Sequence, residues 1–294
     1  MRTVGSGDPM DVLTTKRAVL GESPLWHRAQ GVFYWVDILG NEVLAYDPHA
    51  ESNEVVYRGE KVTALSELKG GGLVMVTPRG LYTWQDGEVD TLAPLSLSKE
   101  VRTNDGKCDP FGRVWFGTMD LEARRPLGEL FVFDGRDVRL AQDQVILSNG
   151  LGWSPQIDTF YHADTTRRLI YRYDYDGESG AIANREVFVD LNGSTAVPDG
   201  LAVDVDGNIW VAMWNGWCIN VFDSTGRHIH KESLAVQRPT SVAFGGPGLS
   251  ELYVTTATEG FDPAELEERP HDGKLLRFDP GTTGLPIGVF SAGG

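Results

Sequence analysis

Cysteine is nearly absent from this chain of 294 residues: only Cys108 and Cys218 occur, with no CxxC spacing and no framework of pairs. That excludes a disulfide-stapled fold and suits a reducing compartment. No apolar run reaches the roughly 18 residues that a membrane-spanning helix needs. The opening "MRTVGSGDPM" lacks the apolar core of a signal peptide. Positive charge is scarce too: 26 Lys and Arg stand against 42 Asp and Glu, a net charge of −16. No basic footprint for nucleic acid is left, and an anionic membrane surface is disfavoured. The expectation is a cytoplasmic protein with no nucleic-acid or membrane partner, working as a monomer or weak homo-oligomer. Helical periodicity is sparse. There is no G-x-S-x-G nucleophile elbow, and "KGGG" at Lys69–Gly72 lacks Walker spacing and reads as a tight connection.

What the chain has in abundance is glycine (35 residues), aromatic residues and short β runs closed by turn signals. Six runs resemble one another: "GVFYWVDI", "GGLVMVTP", "GRVWFGTM", "DTFYHADT", "GNIWVAMW" and "SELYVTTA". Aligned on Tyr34, Val74, Trp115, Tyr161, Trp210 and Tyr253, they recur at intervals of 40, 41, 46, 49 and 43 residues. A second strand follows each, mostly ending in an aromatic, Asp and a turn, as in "VLAYDP", "LFVFDG" and "INVFDS". A period of this size in a strand-rich chain marks a β-propeller, and five such similar intervals argue against a β-sandwich. The expected fold is all-β, a six-bladed β-propeller of four-stranded blades. Residues 12–294 form a single catalytic domain in this reading and residues 1–11 a flexible leader. The end segments "VLTTKRAVL" and "IGVFSAGG" are expected to close the ring by sharing a blade.

The stretch "VPDGLAVDVDGNIW" contains two Asp-Gly pairs. Asp206-Gly207 lies between apolar runs and is a hairpin signal. Asp199-Gly200 needs another explanation. Asp199 lies 11 residues before its anchor Trp210, and the equivalent positions in other units are Asn149, Glu22 and Asn104. Blades two and six place Val62 or Thr63 and Ser241 there. In a propeller these positions share one level near the mouth of the central channel. A Glu, an Asn and an Asp would face one another, and two buried carboxylates side by side are costly without a cation. Oxygen donors alone suit hard divalent ions such as Ca²⁺, Mg²⁺ or Mn²⁺.

Other signals have plainer readings. His228 and His230 follow a turn and belong on an exposed outer strand, and Cys108 reads as a packed thiol. The Trp and Tyr anchors pack between blades. Trp26, Trp153 and Trp214 follow the candidate ligands and either wall the pocket or join the core. "AELEERP" is a short acidic helix or loop inserted in the sixth blade.

The motifs "GESPLWH", "RTNDGKCDPFGRVWFGTM", "LSNGLGWS", "PDGLAVDVDGNIWVAMWNG" and "GLPIGVFSAGG" together resemble the senescence-marker-protein/gluconolactonase family, which includes regucalcin-like sugar lactonases. The match runs from about Val19 to the end. The resemblance implies a six-bladed propeller holding one divalent cation, calcium first, with magnesium, manganese, zinc or iron(II) as alternatives. It implies hydrolysis of small-molecule sugar-acid lactones to the free aldonic acids, with glucono-, xylono- and arabinonolactone as examples. It makes Glu22, Asn149 and Asp199 the metal ligands and Asp199 also the general base. Arg102 and Asn104 correspond to substrate-binding residues, and Glu122 falls where some members make a further substrate contact. "NGWCIN" departs from the pattern: Trp217 and Cys218 stand where many members have Gly and a polar or basic residue, and a Trp217 leaning into the cleft narrows the substrate range. The rival readings are a hydrolase of another ester or an organophosphate on the same fold, and a calcium-binding propeller without turnover.

Overall fold

The computed structural model describes residues 10–291; the first nine residues, most of the expected leader, and the last three lie outside the described residues. Strands dominate, in six antiparallel sheets that follow one another along the chain. Their first strands are Gly21–His27, Ala64–Leu68, Val101–Cys108, Ser148–Trp153, Val197–Val203 and Pro239–Gly245. These strands are almost wholly buried and contact one another from blade to blade, so they line the axis.

The aromatic anchors explain why the sheets stack. Tyr34, Val74, Trp115, Tyr161, Trp210 and Tyr253 are all buried. Phe33 of blade one stacks on Tyr253 of blade six at 4.2 Å, Trp115 of blade three meets Trp153 of blade four at 6.1 Å, and Trp210 of blade five meets Phe244 of blade six at 6.0 Å. Each buried ring contributes about 1.5–3 kcal/mol by area, and each aromatic pair about 0.5–1.5 kcal/mol more. Two blades share a further device. Asp109 and Asp204 accept the indole N–H of Trp115 and Trp210, both at 3.0 Å, while capping the turn that precedes the Trp strand.

Both chain ends differ from the sequence reading. Asp11, assigned to the leader, pairs with Arg277, and Asp11–Val12 is the outermost strand of blade six beside Leu276–Phe278. The N-terminal segment alone therefore closes the ring. The two ends do not share a blade. The tail crosses the far end of the channel instead: Gly284 bridges Asp204, and Val289–Phe290 runs parallel to Glu67–Leu68 as a fifth strand of blade two. Burial of Phe290, stacked on Phe133 at 5.6 Å, anchors it there.

The minor expectations hold. Lys69–Gly72 is a turn with three consecutive glycines at positive φ, His228–Ser233 is an outer strand, and Cys108 and Cys218 are free and buried. Among the described residues, no helix is long and apolar enough to cross a membrane.

Candidate active site and metal centre

Five of the six axial strands lose register with their neighbour at one level, and each does so by one extra residue. The breaks fall between Glu22 and Leu25, Thr103 and Gly106, Asn149 and Leu151, Pro198 and Leu201, and Pro239 and Ser241. Blade two, which offers only Val62 and Thr63, pairs in regular register. A bulge turns a side chain out of the pleat, and here the bulges sit at or beside Glu22, Asn104, Asn149 and Asp199. This is the role of Asp199-Gly200: a bulge, not a hairpin. Glycine is required because neighbouring blades nearly touch. A Cβ on Gly150 would lie 2.6 Å from the Asp199 carbonyl oxygen, and one on Gly200 1.9 Å from Ser241 Oγ.

Glu22, Asn149 and Asp199 are all buried, with 6%, 4% and 4% of their surface exposed. Asn149 Nδ2 donates to Thr165 Oγ1 at 3.1 Å, while its Oδ1 has no partner. Asp199 Oδ1 is likewise buried without a partner. Buried acceptors are rarely left unpaired. Burial, then the charges of Asp199 and Asp105, hold Glu22 well above the usual carboxylate range, against an N–H bond from Ser23 and the charge of Arg102. Burial, then Asp105, do the same to Asp199, against a hydrogen bond from the Asn149 side chain.

Asp105 is a residue that sequence reasoning passed over, although it lies within the quoted "RTND" block. It is buried beside the two acids and raised by burial; Lys107 and N–H bonds from Gly106 and Gly150 oppose the shift. Lys107, also unassigned from sequence, donates to the Leu201 carbonyl at 2.7 Å, and burial lowers its ammonium to about 8 against the pull of Asp105. Among the described residues, no three His, Cys, Asp or Glu side chains group as a metal site. The candidate donor set is therefore Glu22 and Asp199 with the Asn149 amide in place of a third carboxylate. The donor set is all oxygen, and two of its atoms lack partners, so it fits a hard divalent cation.

Arg102 Nη1 donates to Thr103 O and Asn104 Oδ1, both at 2.8 Å, and Asn104 Nδ2 donates to Ser148 O at 2.8 Å. Asn104 thus ties Arg102 to the strand carrying Asn149. Glu122 stands apart. Its side chain is 68% exposed and lies 3.7 Å from Arg124, with no contact to the acids. Trp26 and Trp153 pack into the core against Tyr253 and Trp115, whereas Trp214 lies beneath Arg238. Trp217 lies beneath Arg269 and adopts a positive φ of 56°.

The family model for the SMP-30/gluconolactonase/LRE-like region matches residues 20–258. The chain belongs to this family. Within the SMP-30/gluconolactonase group, the pentonolactonase XacC of Haloferax volcanii is 36% identical over 273 residues, covering 91% of this chain and 93% of its own. Regucalcin of Xenopus laevis is 34% identical over 278 residues, covering 91% and 92%. Among solved structures, a calcium-binding regucalcin of Agrobacterium tumefaciens superposes with a TM-score of 0.91 at 27% identity, over 95% of this chain and 96% of that one.

Proposed function

We propose that this protein is a divalent-metal-dependent lactonase that opens lactones of sugar acids to the free aldonic acids, in the cytoplasm. The observation that carries the reading is the pair of buried, partnerless oxygens, Asn149 Oδ1 and Asp199 Oδ1, presented by adjacent bulges in a family whose relatives include a pentonolactonase. Glu22, Asn149 and Asp199 would hold the cation, calcium being the first candidate. A cation bound there supplies Lewis acidity toward the carbonyl oxygen and lowers the pKa of water.

The chain's own residues do the rest. Asp199 takes the proton from the attacking water and returns it to the ring oxygen as the acyl C–O bond breaks. General-base help of this kind is worth about 10²–10⁴ in rate. Arg102 has Nη1 occupied by Thr103 and Asn104, which leaves Nε and Nη2 to donate to substrate oxygens. Fixing the ring by these donors supplies the orientation term. Asn104 holds Arg102 in place and offers its second N–H to the substrate. Glu122, exposed at the end of its blade, is assigned to the distal hydroxyls of a long sugar chain. Burial of both thiols suits the reducing compartment.

The test is a panel of aldonolactones assayed by acid release, with spontaneous opening subtracted, before and after chelation. Turnover should fall on chelation and return with added Ca²⁺, Mg²⁺ or Mn²⁺. Full turnover in metal-free protein would remove the metal from the mechanism, and no turnover of any lactone with any metal would remove the lactonase.

A further inference from the structure

The far end of the channel holds a cavity of about 240 Å³. Its walls come from the far ends of axial strands, among them Trp153, Val203 and Phe244, and its cover is the tail segment 285–288. Trp153 stands four residues beyond Asn149, and Val203 four beyond Asp199. At about 3.3 Å per residue this places the cavity roughly 10–13 Å from the candidate cation site. The tail is fixed over the space from three sides. Leu285 N donates to Val203 O at 3.3 Å, and Arg28 Nη2 donates to Ile287 O at 3.1 Å. Gly288 presses so closely on blade three that a Cβ there would lie 1.7 Å from Asp109 O.

The polarity of the lining is one-sided. No Asp or Glu lines the cavity, and Lys107 is its one charged residue. Ser154 spends its hydroxyl in its own turn, donating to Asp158 Oδ1 at 2.8 Å and accepting from the amides of Asp158 and Thr159. Trp153 carries a second donor, an Nε1 that is buried with no partner. Lys107 reaches across the channel from blade three to blade five. Among the described residues its Nζ makes one hydrogen bond, to Leu201 O at 2.7 Å, and no ion pair, Asp105 acting on it only through space. An ammonium has three N–H groups, so two remain to donate. A cation set among apolar walls without a paired anion is costly, and an anionic group entering the cavity removes that cost. An apolar cavity of about 150 Å³ takes a benzene, so one of this size has room for a chain of about six to ten carbons.

We propose that this cavity is a second ligand site, distinct from the cation site, for one medium-chain monocarboxylate: the carboxylate pairs with Lys107 Nζ, and the hydrocarbon lies among Trp153, Val203, Phe244 and the tail. A sugar acid does not suit it, because its hydroxyls would face apolar walls. The site needs no turnover, so it stands or falls separately from the lactonase reading. The test is calorimetry on chelated protein with butyrate, hexanoate, octanoate, 1-octanol and gluconate. Octanoate should bind as one equivalent, with affinity rising about fourfold per methylene from butyrate to octanoate. It should bind at least about tenfold more tightly than 1-octanol, the effect of the charge-assisted bond. Excess gluconate should not displace it. Lys107→Met keeps the apolar stem and should weaken octanoate about tenfold or more while leaving 1-octanol within about twofold. Leu285→Trp fills the space from the tail, leaves the axial strands intact and should abolish binding of both, with thermal melting to check each fold. Octanol binding as tightly as octanoate, uptake of several equivalents, displacement by gluconate, or undiminished octanoate binding by folded Leu285→Trp protein overturns the proposal. The wild-type series decides it even if neither variant folds.

Discussion

Thr165 should control metal affinity without being a ligand. The Asn149 Nδ2 donates to Thr165 Oγ1 at 3.1 Å and also leans on the Asp199 carboxylate, an orientation that leaves Asn149 Oδ1 and Asp199 Oδ1 without partners. Thr165→Val keeps the shape and removes the acceptor. The lost bond is worth about 1 kcal/mol. Released from Thr165, the amide can turn fully onto the Asp199 carboxylate, a charge-assisted bond worth about 1.5–3 kcal/mol when complete. Part of that bond is already present in the native pose, so the turned form should gain about 1–2 kcal/mol over the native one. Only the native form presents oxygen to a cation. At that bias about one molecule in six to one in thirty is competent, and the apparent Kd rises by the inverse, about 6- to 30-fold. That range agrees with the cost of about 10–100-fold typical for residues that orient a metal ligand. The assay is Ca²⁺ or Mn²⁺ titration of chelated protein by calorimetry, with Thr165→Ser as the restoring variant and thermal melting to check the fold. A Thr165→Val protein that binds as wild type does, or a Thr165→Ser protein as weak as the valine variant, would refute the orientation argument.

Three further outcomes follow from the same geometry. Asp199→Asn should abolish lactone opening, a loss of at least about 10²-fold, while the melting temperature of metal-free protein stays level or rises, because a buried carboxylate facing other acids is gone; retained turnover would remove Asp199 as the base. Gly200→Ala should cost about 1–3 kcal/mol in urea unfolding, because its Cβ would lie 2.4 Å from Ser241 Cβ and 2.7 Å from Ser241 Cα, neither of which can rotate away; a loss below about 0.5 kcal/mol would mean that the blades separate easily. His162 is buried, bonded to Ser148 Oγ at 2.8 Å and lowered by burial from 6.5 to about 4. The unfolded chain therefore binds the extra proton first, and stability falls as pH drops from about 6.5 toward 4, by about 2–3 kcal/mol at pH 4.5. His162→Gln should flatten that part of the urea-midpoint curve relative to wild type, and parallel curves would show that His162 titrates normally.

The six-fold repeat was legible because every blade must bury the same strand against its neighbour. The requirement puts an apolar or aromatic residue at Tyr34, Val74, Trp115, Tyr161, Trp210 and Tyr253 whatever else changes. The level of Glu22, Asn149 and Asp199 was legible by counting back from those anchors. The device that exposes them was not. A one-residue bulge has no spacing signature of its own, and Asn149-Gly150 and Asp199-Gly200 look like ordinary turns until their strands are paired. Asp105 was hidden by standing next to Asn104: only the register break shows that both residues lie in the extra-residue segment. The chain ends were misread because a two-residue pairing such as Val289–Phe290 with Glu67–Leu68 joins segments more than 200 residues apart. A blade-six insertion that reads as acidic and polar owes its order to Arg238 and Arg269, which lie over Phe261 at 3.7 and 4.8 Å, and one of these arginines lies outside it, in blade five's connection to blade six.

The distribution of stability explains why the axis can carry three carboxylates. The aromatic contacts that join the blades, Phe33 with Tyr253, Trp115 with Trp153 and Trp210 with Phe244, lie on the Trp-bearing or Tyr-bearing second strands and their neighbours, away from the bulges. Ring closure is likewise remote, at Asp11–Val12 on the outer rim. The cohesive energy and the repulsive charges are therefore separated along the same blades, since Trp153 and Phe244 lie at the far ends of axial strands whose near ends carry the bulges. Four of the five bulges sit at or beside Glu22, Asn104, Asn149 and Asp199, so irregular pairing at one level brings the candidate site residues together. Blade two lacks this irregularity: its axial strand stays in register, Val62 and Thr63 lie just before it, and it receives the tail as a fifth strand. The candidate ligands and the docked tail fall on different blades, so the proposed cation site makes no demand on the contacts that hold the ring closed.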